Sequence, residues 1–230
     1  MYFSTFTLLV LGMFGSIEAN AFHGYPGVAS MSADARARPP KRCVAPSVFQ
    51  GQITQLASPG NAVAVSNISY DATAERVRVY ETIYLPKNQT LIQEILVFYK
   101  KGVAYIRDVL KGTCVKGTAP PVFPTIKVQK NAKYVGEIFF GKSFFLQSWD
   151  ETLPGTPVKL FSTWTADGDC YPVSQTAMIG IEPATVVITS YFNMTLGIKD
   201  PSVWDIPAGC HSAPWTGYFQ DKYLGKRWYL

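Results

Sequence analysis

The chain has 230 residues, 47% of them hydrophobic and 14% aromatic, with only 16% charged and a formal charge of +5. That much apolar material excludes a disordered chain and suffices for the core of one good-sized domain. The charge does not point to nucleic acid: without Glu18 of the leader it is +6, of which +3 sits in residues 34–42 and +2 in 221–227, whereas a protein that neutralises phosphates needs a basic face on its folded body.

Residues 1–15 form an uncharged apolar run, followed by Ala19-Asn20-Ala21, a small-x-small cleavage pattern. The run is shorter than the roughly 20 residues of a membrane span and lacks a basic stop-transfer flank, so 1–21 reads as a cleavable signal peptide of a secreted protein. No later stretch reads as a transmembrane segment. Residues 22–42 form a flexible basic arm. Beyond it a period of two recurs, predicting strands over 49–56, 62–70, 76–83, 91–99 and 103–110, the last two joined as a hairpin by Lys100-Lys101-Gly102. Further strands are predicted over 134–140, 143–149, 158–165, 174–179 and 185–195, with a short helix over 124–131. In 185–195 the side carrying Thr189, Tyr191 and Asn193 reads as the wetter one, opposite Ile188, Phe192 and Met194. Closely spaced strands with few short helices make a mainly β (β-rich α+β) antiparallel fold. Several strands are apolar on more than one face, such as Phe144-Phe145-Leu146. This leaves two readings open: a core covered on both sides, or a curved sheet that lines a ligand cavity. The tail, 211–230, mixes aromatics with Lys222, Lys226 and Arg227, and either packs on the sheet or meets a membrane or partner.

Four cysteines follow the leader: Cys43, Cys114, Cys170 and Cys210. None forms a C-x-x-C, which excludes zinc-ribbon and thioredoxin chemistry, and only His23 and His211 offer imidazoles. An even count in a secreted chain implies two bridges, for which three pairings are open. Glycan acceptor sequons start at Asn67, Asn88 and Asn193. No nucleophile elbow, zinc-protease, P-loop or dinucleotide fingerprint occurs, so no catalytic residue is assigned. Asp150-Glu151 is the only adjacent acidic pair. Asp167-Gly168-Asp169 lacks the spaced acids of an EF-hand loop and reads as a turn.

Several segments together resemble the ependymin-related proteins. Cys43-Val-Ala-Pro-Ser-Val-Phe-Gln-Gly51 is similar to the family's opening Cys-x-x-Pro-x-x-aromatic-x-Gly. Ser69-Tyr70-Asp71 followed by Arg76-Val77-Arg78 resembles its Tyr-Asp and Arg-hydrophobic-Arg strand. Cys114 falls where a central cysteine is expected, and Cys170-Tyr171-Pro172-Val173 matches a Cys-x-Pro-Val element. Asp200-Pro-Ser-Val-Trp-Asp-Ile-Pro-Ala-Gly-Cys210 resembles the family's closing motif. The resemblance spans 43–210 and implies a secreted, glycosylated β domain of antiparallel sheets curled into a half-barrel around a deep apolar pocket, as in bacterial lipoprotein carriers. It implies the bridges Cys43–Cys170 and Cys114–Cys210, a homodimer, association with Ca²⁺ through residues no short motif locates, and a lipid or other hydrophobic small molecule as ligand. Candidate wall residues, chosen by type and strand position, are Val97, Tyr99, Tyr105, Phe140, Phe145, Trp149, Trp164, Phe192 and Met194. The chain departs from vertebrate members in lacking a third cysteine pair. The expected function is non-catalytic binding of a hydrophobic ligand; the rivals are an extracellular matrix or cell-contact protein and, with less behind it, a hydrolase.

Overall fold

The computed structural model describes residues 40–58, 62–140, 144–153, 156–166, 168–180 and 185–218. The segments read as a signal peptide and basic arm, up to residue 39, and the tail from residue 219 lie outside the described residues. Within them the alternating segments become strands: β1 Val48–Ser58, β2 Ala62–Asp71, β3 Arg76–Leu85, β4 Gln89–Phe98, β5 Val103–Asp108, β6 Thr113–Thr118, β7 Lys133–Phe140, β8 Phe144–Thr152, β9 Lys159–Thr165, β10 Pro172–Ile179, β11 Thr185–Leu196 and β12 Trp215–Tyr218. Every predicted strand forms. β6 and β12 were not predicted, because Thr113-Cys-Val-Lys-Gly-Thr118 has little apolar bulk and β12 is four residues long.

All twelve strands join in one sheet, ordered β12-β6-β5-β4-β3-β2-β1-β11-β10-β9-β8-β7. Two antiparallel meanders, β1–β6 and β7–β11, meet along a central antiparallel seam between β1 and β11. The outer strands β12 and β7 do not pair, so the curved sheet stays an unclosed half-barrel.

Alternation gives the sheet two unlike faces. One, the core face, carries Phe49, Ile53, Ile68, Tyr70, Val77, Val79, Trp149, Trp164 and Tyr191, all buried in one cluster. A second cluster on the same face holds Ile95, Val97, Ala104 and Ile106. Each large side chain so buried contributes about 1.5–3 kcal/mol, provided something excludes water from above.

That cover is the chain itself. Leaving β6 at one side of the sheet for β7 at the other, residues 119–132 cross the core face and add Ile126, Val128 and Ala132 to the main cluster. The helix predicted over 124–131 does not form. Pro120, Pro121 and Pro124 bias the run toward extended backbone, and its carbonyls and amides pair elsewhere. Ala45 donates to the Ile126 carbonyl and Val128 to that of Cys43, each at 2.9 Å, around an antiparallel bridge between Val44 and Lys127. The one helical turn among the described residues is a 3-10 turn at Pro201–Trp204, capped by the Asp200 carboxylate.

A second strap, from the end of β11 to β12, crosses the opposite face. The Val203 carbonyl accepts from Arg78, and Trp204 lies under the Arg76 guanidinium at 4.3 Å. Below it Glu94 is 3% exposed and bonds both Arg78 and Arg107. Cys114–Cys210 ties the second strap to β6, and Cys43–Cys170 ties the segment that pairs with the first strap to the turn before β10. These are the two pairs the resemblance implies.

β11 faces the other way from the expectation. Thr189 and Tyr191 are 3% and 6% exposed on the core face, whereas Ile188 and Phe192 are 41% and 51% exposed opposite. The predicted wet side is the buried one. Asn193 nevertheless reaches solvent, because Gln52 pairs with Phe192 and Gln50 with Thr195, leaving two residues of β11 against Gly51. This bulge holds Asn193 at φ +50°, a left-handed conformation that Asn tolerates, and shifts the alternation beyond it.

The two bridges enclose sequence separations of 127 and 96 residues. Replacing Cys43 and Cys170 together by Ala is expected to lower stability by about 4 kcal/mol, read as a lower midpoint of denaturant unfolding under non-reducing conditions.

Candidate ligand surfaces

Where the first strap lies, the core face is tightly filled. Phe49 stacks on Tyr70 with ring centroids 4.8 Å apart, and Phe123 of the strap sits 5.1 Å from both Tyr70 and Tyr99. The Tyr70 hydroxyl donates to the Pro124 carbonyl at 3.1 Å, and burial pushes this phenol up to about 12. At the other side of the strap Gln129 donates its amide to Glu151 Oε2 at 2.9 Å. The hollow left beneath, lined by Trp164, Tyr191, Leu160 and Glu151, has about 20 Å³, enough for one water.

Past the strap the core face opens. Ala57 on β1, Ala62 and Ala64 on β2, Ile83 and Leu85 on β3 and Val187 on β11 line a groove of about 100 Å³, with Gln55 and Glu81 at its polar margin. Register explains it: Ala57 pairs with both Ala62 and Val187, and Ala64 with Ile83. Small side chains on two neighbouring strands leave a trough between branched ones.

The opposite face carries a larger groove, about 670 Å³, beside the seam. Its walls mix amides and hydroxyls, from Gln50, Gln52, Asn67, Ser69, Asn193, Thr195 and Ser202, with apolar Ile68, Met194 and Val203, and Arg78, Lys199 and Tyr80 stand at the sides. Many of these hold one another in place. Gln50 donates to the Ser69 hydroxyl at 3.1 Å and accepts from the Lys199 amide at 2.9 Å, and Asn193 donates to Gln52 Oε1 at 2.7 Å. The bulge shapes the floor: Met194 lies over Gly51, where any Cβ would run into its Sδ.

The residues predicted for a pocket wall are distributed over this sheet and do not gather at one hollow. Trp149 and Trp164 belong to the main core, Val97 to the second, and Tyr99 is half-buried between the two. Phe145 is half-buried, edge-on to Phe139 at 5.1 Å, and Met194 packs on the main core while lining the polar groove. Tyr105, paired with Leu96, and Phe192, paired with Gln52, stand on the opposite face. Phe140 lies in β7, and its side chain is outside the described residues. Sequence reasoning sought large apolar residues and passed over Ala57, Ala62 and Ala64, although three alanines in alternating segments are what a trough requires. The sequon asparagines Asn67, Asn88 and Asn193 are all exposed, Asn88 in the turn between β3 and β4 at φ +56°. Among the described residues no three acidic, histidine or cysteine side chains gather as a metal ion would need, and no helix is long and apolar enough to cross a membrane.

Comparison with known proteins agrees with the motifs. The family model described as Ependymin matches residues 87–210. Mammalian ependymin-related protein 1 of Rattus norvegicus is 30% identical over 189 residues, covering 76% of this chain and 78% of its own. Ependymin of Clupea harengus is 23% identical over 175 residues, covering 73% and 81%. A crystal structure of an uncharacterized conserved protein from Thermus thermophilus aligns with TM-score 0.49 and 10% identity over 75% of this chain and 91% of that one.

Glu151 ties the first strap to the sheet and is 4% exposed. Burial raises its carboxyl above the ordinary 4.5; the Gln129 hydrogen bond works against this and the neighbouring Asp150 charge adds to it. A carboxyl raised in the folded state favours folding while protonated, so that contribution fades as pH climbs from the ordinary value through the raised one. Glu151→Gln keeps an acceptor for Gln129 and removes the charge. Thermal melts between pH 4 and 7 should therefore show the variant gaining on the wild-type chain as pH rises, with no gain at the acid end.

Proposed function

This chain belongs to the ependymin family, and from that premise we propose that it is a secreted glycoprotein that binds a hydrophobic ligand without chemical turnover. The ligand is an acyl chain, and its seat is the core-face groove of Ala57, Ala62, Ala64, Ile83, Leu85 and Val187. One observation carries the reading: the groove is apolar and lies on the core face where the strap does not cover it. Its size sets the chemistry. About 100 Å³ is below the roughly 300–1,000 Å³ of pockets that take drug-sized ligands, and it suits a run of methylenes, with Gln55 at its polar margin. Affinity then comes from buried apolar area at about 25 cal/mol per Å². The signal sequence and the disulfides support an extracellular location.

A fluorescent polyene fatty acid titrated into the delipidated, secreted protein should bind saturably. Ala57→Leu and Ala64→Leu, which fill the trough, should each weaken it at least about tenfold, the effect of roughly 1.4 kcal/mol. Absence of binding by wild-type protein, together with no co-purifying lipid in native mass spectrometry, would sink the carrier reading.

A second reading, contact with the matrix or with another copy of the chain, has its own observation. Across the opposite face the register aligns Tyr84, Val63, Leu56, Ile188, Thr176 and Phe161 in one row over six strands. Tyr84 is 50%, Leu56 46%, Ile188 41% and Phe161 39% exposed. A bare apolar row of this width is what a partner covers, and the resemblance to dimeric relatives makes a second copy the first to test. Sedimentation should show a dimer that Leu56→Lys converts to monomer; a wild-type monomer at all concentrations counts against self-association.

A further inference from the structure

We propose that the polar groove of the opposite face is a carbohydrate seat, occupied by the inner sugars of an N-glycan carried on Asn67. The inference rests on the glycoprotein reading above and adds to it a place and a set of contacts.

Asn67 lines the groove and pairs in register with Gln52 on one side and Tyr80 on the other. A sugar attached to its Nδ2 therefore starts between an amide side chain and a phenol ring that is 40% exposed. Aromatic faces and planar amides are the groups that meet the two surfaces of a pyranose, the apolar C–H face and the hydroxyl rim. Tyr80 supplies the first, and Gln52, Asn193 and Ser202 the second.

The amides are fixed before any sugar arrives: Gln52 by Asn193 at 2.7 Å, and Gln50 by Ser69 and the Lys199 backbone. Fixed polar groups lose less freedom on binding than free ones. A cavity of about 670 Å³ falls in the range that takes small molecules. Its lining includes no carboxylate, and Lys199 and Arg78 stand at its sides.

The anomeric carbon of an oligosaccharide linked to a lipid diphosphate bonds to Asn67 Nδ2; the lipid diphosphate leaves, and one amide hydrogen departs as a proton. The second N–H remains available as a donor. Ser69, the sequon hydroxyl, is 7% exposed and already accepts from Gln50 in the folded sheet, so transfer precedes the pairing of β1 with β2.

The test uses full-length protein secreted from animal cells. Peptide mass spectrometry should find glycan on Asn67. Trimming the glycans to the first sugar should give up part of the melting temperature and complete removal about 2–4 °C in all, a loss absent from Asn67→Gln, which keeps the Asn88 and Asn193 sequons. Tyr80→Ala should cost a similar amount in the glycosylated protein and almost nothing in an Asn67→Gln background, which also controls for the charge that enzymatic removal leaves at position 67. An unoccupied Asn67 overturns the glycoprotein reading at this site and the seat with it. An occupied Asn67 with equal Tyr80→Ala costs in both backgrounds, or with no change on removal, overturns the seat alone.

Discussion

Cys43 is wholly buried, and its bridge to Cys170 holds the start of the described chain against the core face, where Ala45 and Cys43 pair with Ile126 and Val128 of the crossing strap. That clamp is what the rest of the fold depends on. An open sheet needs a second layer to keep its apolar face dry, and helices ordinarily supply it. Here the layer is one extended segment with three prolines, which has no regular structure of its own to hold it down. Its position comes from Tyr70 and Glu151 reaching up from the sheet and from backbone hydrogen bonds to a neighbouring extended segment, which the disulfide in turn holds down. Remove them, and Phe49, Tyr70, Trp149 and Trp164 face solvent together.

The opposite face is managed differently. Its strap rests on charge: Glu94 buried between Arg78 and Arg107, and Arg76 over Trp204. Buried ions cost desolvation and are a poor source of net stability, but they fix where the strap lies, since a shifted strap would leave Arg78 without the Val203 carbonyl. The remaining half of this face divides again, into the amide-lined groove beside the seam and the bare apolar row from Tyr84 to Phe161. One sheet thus presents three unlike surfaces, each a product of which residues happen to share a row.

Period-two alternation exposed most of this fold in the sequence, because strand faces depend on neighbours two apart and little else. The failures each have a local physical cause. Residues 124–131 looked regular, but their hydrogen bonds are made to residues some eighty positions earlier, which no local pattern reveals. In β11 polarity misled: Thr189 and Tyr191 look wetter than Ile188 and Phe192, yet the first pair is buried on the core face and the second is bare, while the bulge at Asn193 shifts the alternation only beyond them. β6 carries too little apolar bulk to be seen and is placed by pairing with β5. For the candidate site, residue size misled: large aromatics fill the core, and the hollow is made by alanines. The cysteine-centred motifs, by contrast, carried the pairing of the bridges through resemblance, since spacing alone left three pairings open.

The two disulfides interleave along the chain, Cys43 with Cys170 and Cys114 with Cys210. Every peptide bond between Cys43 and Cys210 is therefore spanned by at least one bridge, and those between Cys114 and Cys170 by both. A protease that cuts once in any exposed turn of this region, the β3–β4 tip or the loop before β10 included, produces two chains that remain one molecule. The sheet, its straps and whatever rests on them stay assembled after the cut, and the damage becomes visible as separated fragments only when the bridges are reduced.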